Sequence, residues 1–261
     1  ITPVCSVVTV LVLQGLAEQP PWLAITAAVV VTAAAGTALG AFNGVSVAYV
    51  GVNPFVTTLS TMLVFRGIAL ILTEGGQTLS VPLALKDVFG QVYWGKVALF
   101  GGAGHALTVP ILVFLGVFAL AVFGLRLTRF GHYVYAVGGN ENASWLAGIN
   151  TRLVKASTYA LCGTSCAFAA VIYTGMSNTA QAASYQGLEL VVIASVIVGG
   201  TPLGGGAGGL FYTLIGLLLL AVIENLLPHL GIEEEYRNIV RGSIILVVVA
   251  MDTLVRKRGR R

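Results

Sequence analysis

Charge is what this chain has least of. Lys, Arg, Asp and Glu make up 9% of its 261 residues, while 57% are hydrophobic; a soluble domain carries about a quarter charged residues to cover its surface. A soluble fold is therefore excluded, and the chain belongs in a membrane. Cysteine is scarce too, and Cys5, Cys162 and Cys166 all fall within apolar runs. The last two are spaced i, i+4, as a metal pair could be, but no His or carboxylate joins them, so they read as small buried hydrophobes. His105, His132 and His229 lie in separate loops without metal spacing. No nucleophile, base and orienting group assemble, so the chain is not read as an enzyme. A charged flank is also missing at the start: Ile1 opens inside an apolar run, which is no signal peptide and looks like a chain lacking its beginning.

What is present is a series of apolar runs approaching the roughly 20 residues that a bilayer crossing takes. They are Pro3 to Leu16, Trp22 to Val47, Phe55 to Leu72, Leu107 to Leu125, Leu153 to Tyr173, Leu188 to Gly200, Leu210 to Leu226 and Ile239 to Leu254. The first is clipped and the sixth is too short for an ordinary span. The expected fold class is all-α, a polytopic transmembrane helical bundle of about eight spans, one of them short or broken, in a single domain over 1–261.

The net charge of +4 matters less than where it sits. Arg256-Lys257-Arg258 and Arg260-Arg261 directly follow the last run, which favours positive-inside anchoring over nucleic-acid binding. With that tail in the cytoplasm, alternation places Arg126, Arg129, Arg152 and Lys155 inside as well. Glu18, Glu74, Asp87 and Glu233-Glu234-Glu235 collect on the other side, with Lys86, Lys96 and Arg237 as exceptions.

Leu125 to Asn150 is the longest polar interruption between two strongly apolar runs, and it reads as a loop carrying a short docking helix on the cytoplasmic face. Gly138-Gly139 should break what precedes it, Asn140 suits an N-cap, Glu141 suits the positive helix start and Gly148 supplies a left-handed stop. Trp145 and Leu146 spread over about 100° and give this helix of about two turns an apolar edge. An ordinary solvated loop with a helical turn is the alternative.

Gly36, Gly40 and Gly44 form a doubled G-x-x-x-G, spacing that lets a neighbouring helix backbone approach closely. Gly51-Val52-Asn53-Pro54 then breaks the chain ahead of Thr57, Thr58, Ser60 and Thr61, hydroxyls that either satisfy freed backbone groups or line a polar path. Arg66 sits mid-run and is a functional candidate only if buried. Gly90 to Lys96 fits most of a phosphate-binding loop, but Val97 replaces the metal-binding hydroxyl and no strand precedes it. Gly204 to Gly209 satisfies G-x-G-x-x-G, with Glu224 about 20 residues on, yet no βαβ series surrounds it. We favour a membrane hinge there, joining the short sixth run to the seventh, with Gly199, Gly200, Gly204 and Gly205 as its pivots. Broken segments of this kind are favoured places for a translocation route, with a tight loop between packed helices as the plainer reading. Glu189, Glu224, Asn225 and Asp252 near the run ends are route candidates, with simple reach to the membrane interface as the alternative.

Several segments together resemble the membrane permease subunits of bacterial ABC importers of the ribose, xylose and galactose type. They are Asn53 to Leu59, Thr128 to Glu141, Ala147 to Asn150, Glu189-Leu190, Gly199-Gly200-Thr201-Pro202-Leu203 and Gly231 through Asp252. The departures are Trp145 in place of a smaller or basic residue, Val191 in place of Asp and Tyr212 in place of Gly. The resemblance implies about ten spans, two of them ahead of Ile1 together with a Gly-rich, acid-containing segment, so that an inactive truncated permease is one outcome. It also implies a homo- or heterodimer of permease chains in the bacterial inner membrane, fed by a periplasmic sugar-binding protein. That dimer docks on two ABC ATPase subunits, which hold the ATP and Mg, through Gly138, Gly139, Asn140, Glu141, Trp145, Leu146, Ala147, Gly148 and Ile149. Asn53, Pro54, Thr57 and Thr58 would line a weakly polar route for a neutral sugar. A branched-chain amino acid permease is the nearest rival; a stand-alone channel or ion-coupled carrier is a more distant one.

Overall fold

The computed structural model of the chain describes residues 1–83, 85, 96–98, 106–182, 187–202, 204–231, 239–240 and 242–243. Helix dominates. In chain order the helices are α1 (Thr2–Gly15), α2 (Pro21–Val45), α3 (Pro54–Leu72), α4 (Val109–Leu127), α5 (Arg129–Gly139), α6 (Glu141–Leu146), α7 (Thr151–Ser177), α8 (Leu188–Val198) and α9 (Leu210–His229). The first seven apolar runs each become a helix, with ends shifted by no more than the four residues from Tyr173 to Ser177. The eighth run lies almost wholly outside the described residues. So do the basic tail, Glu233 to Glu235, Arg237, Asp252, Lys86, Asp87, His105 and positions 90–95.

Among the described residues, five helices are long and apolar enough to cross a membrane: α2 with its extension to Val50, α3, α4, α7 and α9. The 11 residues of α8 reach about 16 Å, half of a hydrocarbon core of about 30 Å. Outward faces are uniformly greasy. Trp22, Val30, Phe55, Leu63, Ile71 and Leu120 are all largely exposed, a surface that only lipid or another protein covers.

Two compact units emerge, each described by itself. The first comprises Ile1–Leu120 and Asn150–Tyr185. Its centre is the crossing of α2 with α7, where the α2 glycines remove the side chains that would hold the helices apart. A Cβ on Gly36 would lie 2.5 Å from the Gly163 carbonyl, and one on Gly44 would lie 2.7 Å from that of Ala156. Gly40 is pressed on the Tyr159 carbonyl in the same way. Hydroxyls tie the seam, Thr37 to Thr164 at 2.7 Å, while Thr9 of α1 meets Thr32 of α2 at 2.9 Å. Val7, Val10 and Leu13 of α1, Ala24 and Ala28 of α2, and Phe65 and Ala69 of α3 complete the buried core.

Three features depart from a purely α-helical reading. A π-helical turn at Ser46–Val50 ends α2 and is closed by Gly51 at φ +81°. A two-residue strand β1 (Leu79–Ser80) pairs antiparallel with β4 (Thr179–Ala180), and β2 (Lys96–Ala98) pairs with β3 (Ala106–Thr108). β1 and β4 follow the ends of α3 and α7, where unpaired backbone groups need partners.

The second unit comprises Ala121–Ile149 and Gln186–Arg261. Its framework is an antiparallel hairpin of α8 and α9. A Cβ on Gly199 would lie 2.5 Å from the Tyr212 carbonyl, and one on Gly216 would lie 2.8 Å from the Gly199 nitrogen. Val191 and Leu220 are buried. In this register they fall opposite one another.

Candidate coupling segment and translocation elements

The polar interruption holds two helices where one was expected. Gly138-Gly139 does not end what precedes it: α5 runs through both glycines, capped at its start by the Thr128 hydroxyl accepting from the Gly131 amide at 3.4 Å. The break falls at Asn140, in extended backbone at φ −156°, whose side-chain oxygen accepts from the Ala143 amide at 3.0 Å and so starts α6. Six residues later the helix closes in a Schellman motif. The Ile149 amide donates to the Ser144 carbonyl at 3.0 Å and the Gly148 amide to Trp145 at 2.9 Å, with Gly148 left-handed at φ +82°. The product is a short, doubly capped helix with Ser144 buried and Trp145 and Leu146 exposed by 66% and 78%. Glu141 lies in its first turn, and Ala147 is its C-terminal cap.

Behind this helix, α5 rests on the glycine loop between α8 and α9. The Tyr135 hydroxyl donates to the Gly208 carbonyl at 3.2 Å. A Cβ on Gly138 would lie 2.6 Å from the Gly206 nitrogen, and one on Gly206 would lie 2.6 Å from the Gly139 Cα. Gly200, Gly205, Gly206 and Gly208 are all left-handed, with φ between +79° and +113°. Gly204 is exposed at the start of this stretch. The structure thus brings the expected docking segment and the expected hinge into one contact.

Residue patterns of this kind recur in known permeases. Residues 4–249 match the profile of a family described as "Branched-chain amino acid transport system / permease component". The ribose import permease protein RbsC of Escherichia coli is 39% identical over 227 residues, covering 86% of this chain and 68% of the relative. The chain belongs to this family of transport-system permeases. The ribose import permease protein of Bacillus subtilis is 36% identical over 213 residues, 80% of this chain and 62% of its own length. The D-allose transport system permease protein of Escherichia coli is 32% identical over 256 residues, 97% of this chain and 75% of its own length. This permease therefore spans about three fifths to three quarters of the length of these relatives. No solved structure matches it significantly.

The path candidates of the permease fall into two groups, one in each unit. In the first, the Asn53 side chain caps α3 by accepting from the Phe55 amide at 2.9 Å, beside Pro54. The Thr57 hydroxyl donates to the Asn53 carbonyl at 3.0 Å and that of Thr58 to the Pro54 carbonyl at 3.0 Å. Their donors are taken up by carbonyls four residues back, that of Asn53 also accepting from the Thr57 amide at 2.9 Å, and only acceptor lone pairs remain for a ligand. Arg66 is half-buried on α3. In the second group, the hairpin register places Glu189, at the start of α8, opposite Val222, two residues before Glu224 near the end of α9. Both glutamates lie at the open end, away from the glycine loop. Glu189 and Asn225 are exposed and Glu224 is half-buried, with the Asn225 amide donating to the Ala221 carbonyl at 2.9 Å. Among the described residues no group of His, Cys, Asp or Glu has metal-site geometry.

Sequence reasoning missed Tyr135, Gly206 and Gly163. Gly163 was findable: Ala156, Gly163 and Ala167 put small residues on one face of α7, the complement of the α2 glycines.

Proposed function

We propose that the chain is the membrane permease subunit of an ATP-binding-cassette importer that carries a monosaccharide across the bacterial inner membrane. The observation that supports this most directly is that relatives named for ribose, allose and xylose match most of its length at 32–39% identity. The family description mentions branched-chain amino acids, but the sugar relatives argue for a neutral, hydroxyl-rich cargo. A route built from Asn53, Thr57, Thr58 and Asn225 suits such a cargo better than a ring of charge.

In this reading the chain holds no cofactor. ATP and Mg reside on two partner ATPase subunits, which grip α6 through Trp145 and Leu146 on the cytoplasmic side, where the C-terminus also lies. A second permease chain and a periplasmic sugar-binding protein complete the assembly. Closure of the ATPases on ATP shifts α6, and the spans tilt between outward- and inward-open states. Only contacts that differ between those states can drive the shift, and the Trp145 edge supplies them. The test is reconstitution of the full-length chain with its ATPase and binding protein in proteoliposomes. ATP-dependent uptake of labelled ribose, xylose or allose without leucine uptake is expected. Leucine uptake alone, or sugar uptake without the ATPase, contradicts the proposal.

A further inference from the structure

The seam between α5 and the glycine loop is made almost entirely of backbone. Gly138 and Gly206 meet so closely that neither could carry a Cβ without striking the other segment's backbone, and Gly206 is left-handed as well. One side-chain bond crosses the same seam, from the Tyr135 hydroxyl to the Gly208 carbonyl. Backbone against backbone leaves no side chain to bend, so displacement of one partner is passed on undamped. On the far side of the loop the same economy repeats. Gly199, at the end of α8, abuts the Tyr212 carbonyl and Gly216 abuts Gly199, so α8 and α9 are held against each other just beyond the loop that joins them. A continuous chain of close contacts therefore leads from Asn140, where α6 begins, to the half-length helix α8.

The geometry points to α5 and the Gly204–Gly208 loop acting as one rigid strut that transmits movement of α6 to the α8–α9 hairpin, with Tyr135 as its positioning residue. This rests on α6 being the ATPase-docking helix. The strut predicts that α5 and the loop do not separate during transport. It also gives the exposed left-handed Gly200 the part of the pivot, since a Cβ there meets nothing within 4 Å.

The experiment uses the full-length permease in its reconstituted complex, with Cys5, Cys162 and Cys166 replaced by Ala. Tyr135→Cys and Ala207→Cys are joined by a short, reducible thiol bridge. Uptake that is the same before and after bridging, both measured on this double-cysteine variant, is expected. Uptake lost on bridging and recovered on reduction shows that the seam opens in each cycle and overturns the strut. In parallel, Tyr135→Phe should preserve assembly and ATP hydrolysis while sugar carried per ATP falls about fivefold, the loss expected from one hydrogen bond. An unchanged ratio counts against the seam. Trp145→Ala in the same assay separates the two ideas. If it abolishes stimulated ATP hydrolysis while Tyr135→Phe changes nothing, only the strut falls; if neither variant changes anything, the docking assignment falls with it.

Discussion

Glycine does opposite jobs in the two units of this permease. Along α2, Gly36, Gly40 and Gly44 are ordinary right-handed helix residues whose value is the missing side chain, which lets α7 lie against the α2 backbone. In the loop between α8 and α9, Gly205, Gly206 and Gly208 are left-handed, a conformation that costs a residue with a Cβ about 1–2 kcal/mol. The first set makes a seam over two long helices, tied by threonine pairs. The second makes a compact turn on which α5 rests. In our proposal the first unit stays together and the second carries movement, a distinction that substitution tests.

The largest effect is expected from Gly40→Leu, which forces a branched side chain into the Tyr159 carbonyl and overpacks the α2–α7 seam by about 3 kcal/mol. Loss of monodisperse protein in detergent is the expected readout; a folded, active variant would mean the seam is not the scaffold. Next comes Gly148→Val in the other unit. Its left-handed φ of +82° disfavours Val by about 1–2 kcal/mol, close to a tenfold shift. Uptake should fall by that order while the complex assembles and still hydrolyses ATP. Equal loss of assembly for both variants would erase the contrast.

These positions also show what the sequence could and could not reveal. The α2 glycines were legible because their spacing of four is itself the contact pattern, and the apolar runs were legible because lipid demands uninterrupted helix. Asn140 and Gly148 were legible because caps depend on one residue's local chemistry. The continuation of α5 through Gly138-Gly139 was not. Two successive glycines normally favour a break; here they stay helical, with Gly138 packed against the backbone of Gly206 in a distant segment. The π-turn at Ser46–Val50 and the β1–β4 pair are likewise tertiary outcomes, too short to leave a periodic trace.

Smaller effects sharpen the same comparison. Glu189→Ala, at the open end of the α8–α9 hairpin, should leave assembly intact and lower uptake severalfold; loss of assembly would make it a structural residue. Thr37→Val removes the bond to Thr164 across the α2–α7 seam and should cost about 0.6 kcal/mol, the average for such bonds in membranes. A modest fall in melting temperature with normal uptake is expected, and a transport defect would put that seam among the moving parts.

The most direct measurement is photo-crosslinking from position 145, with Trp145 replaced by a photoreactive phenylalanine analogue in the full-length permease in native membranes. An adduct with a nucleotide-hydrolysing subunit, its yield changing when ATP is trapped, is the predicted result. An adduct with the sugar-binding protein on the opposite face, or with no protein at all, would contradict an import cycle driven through α6.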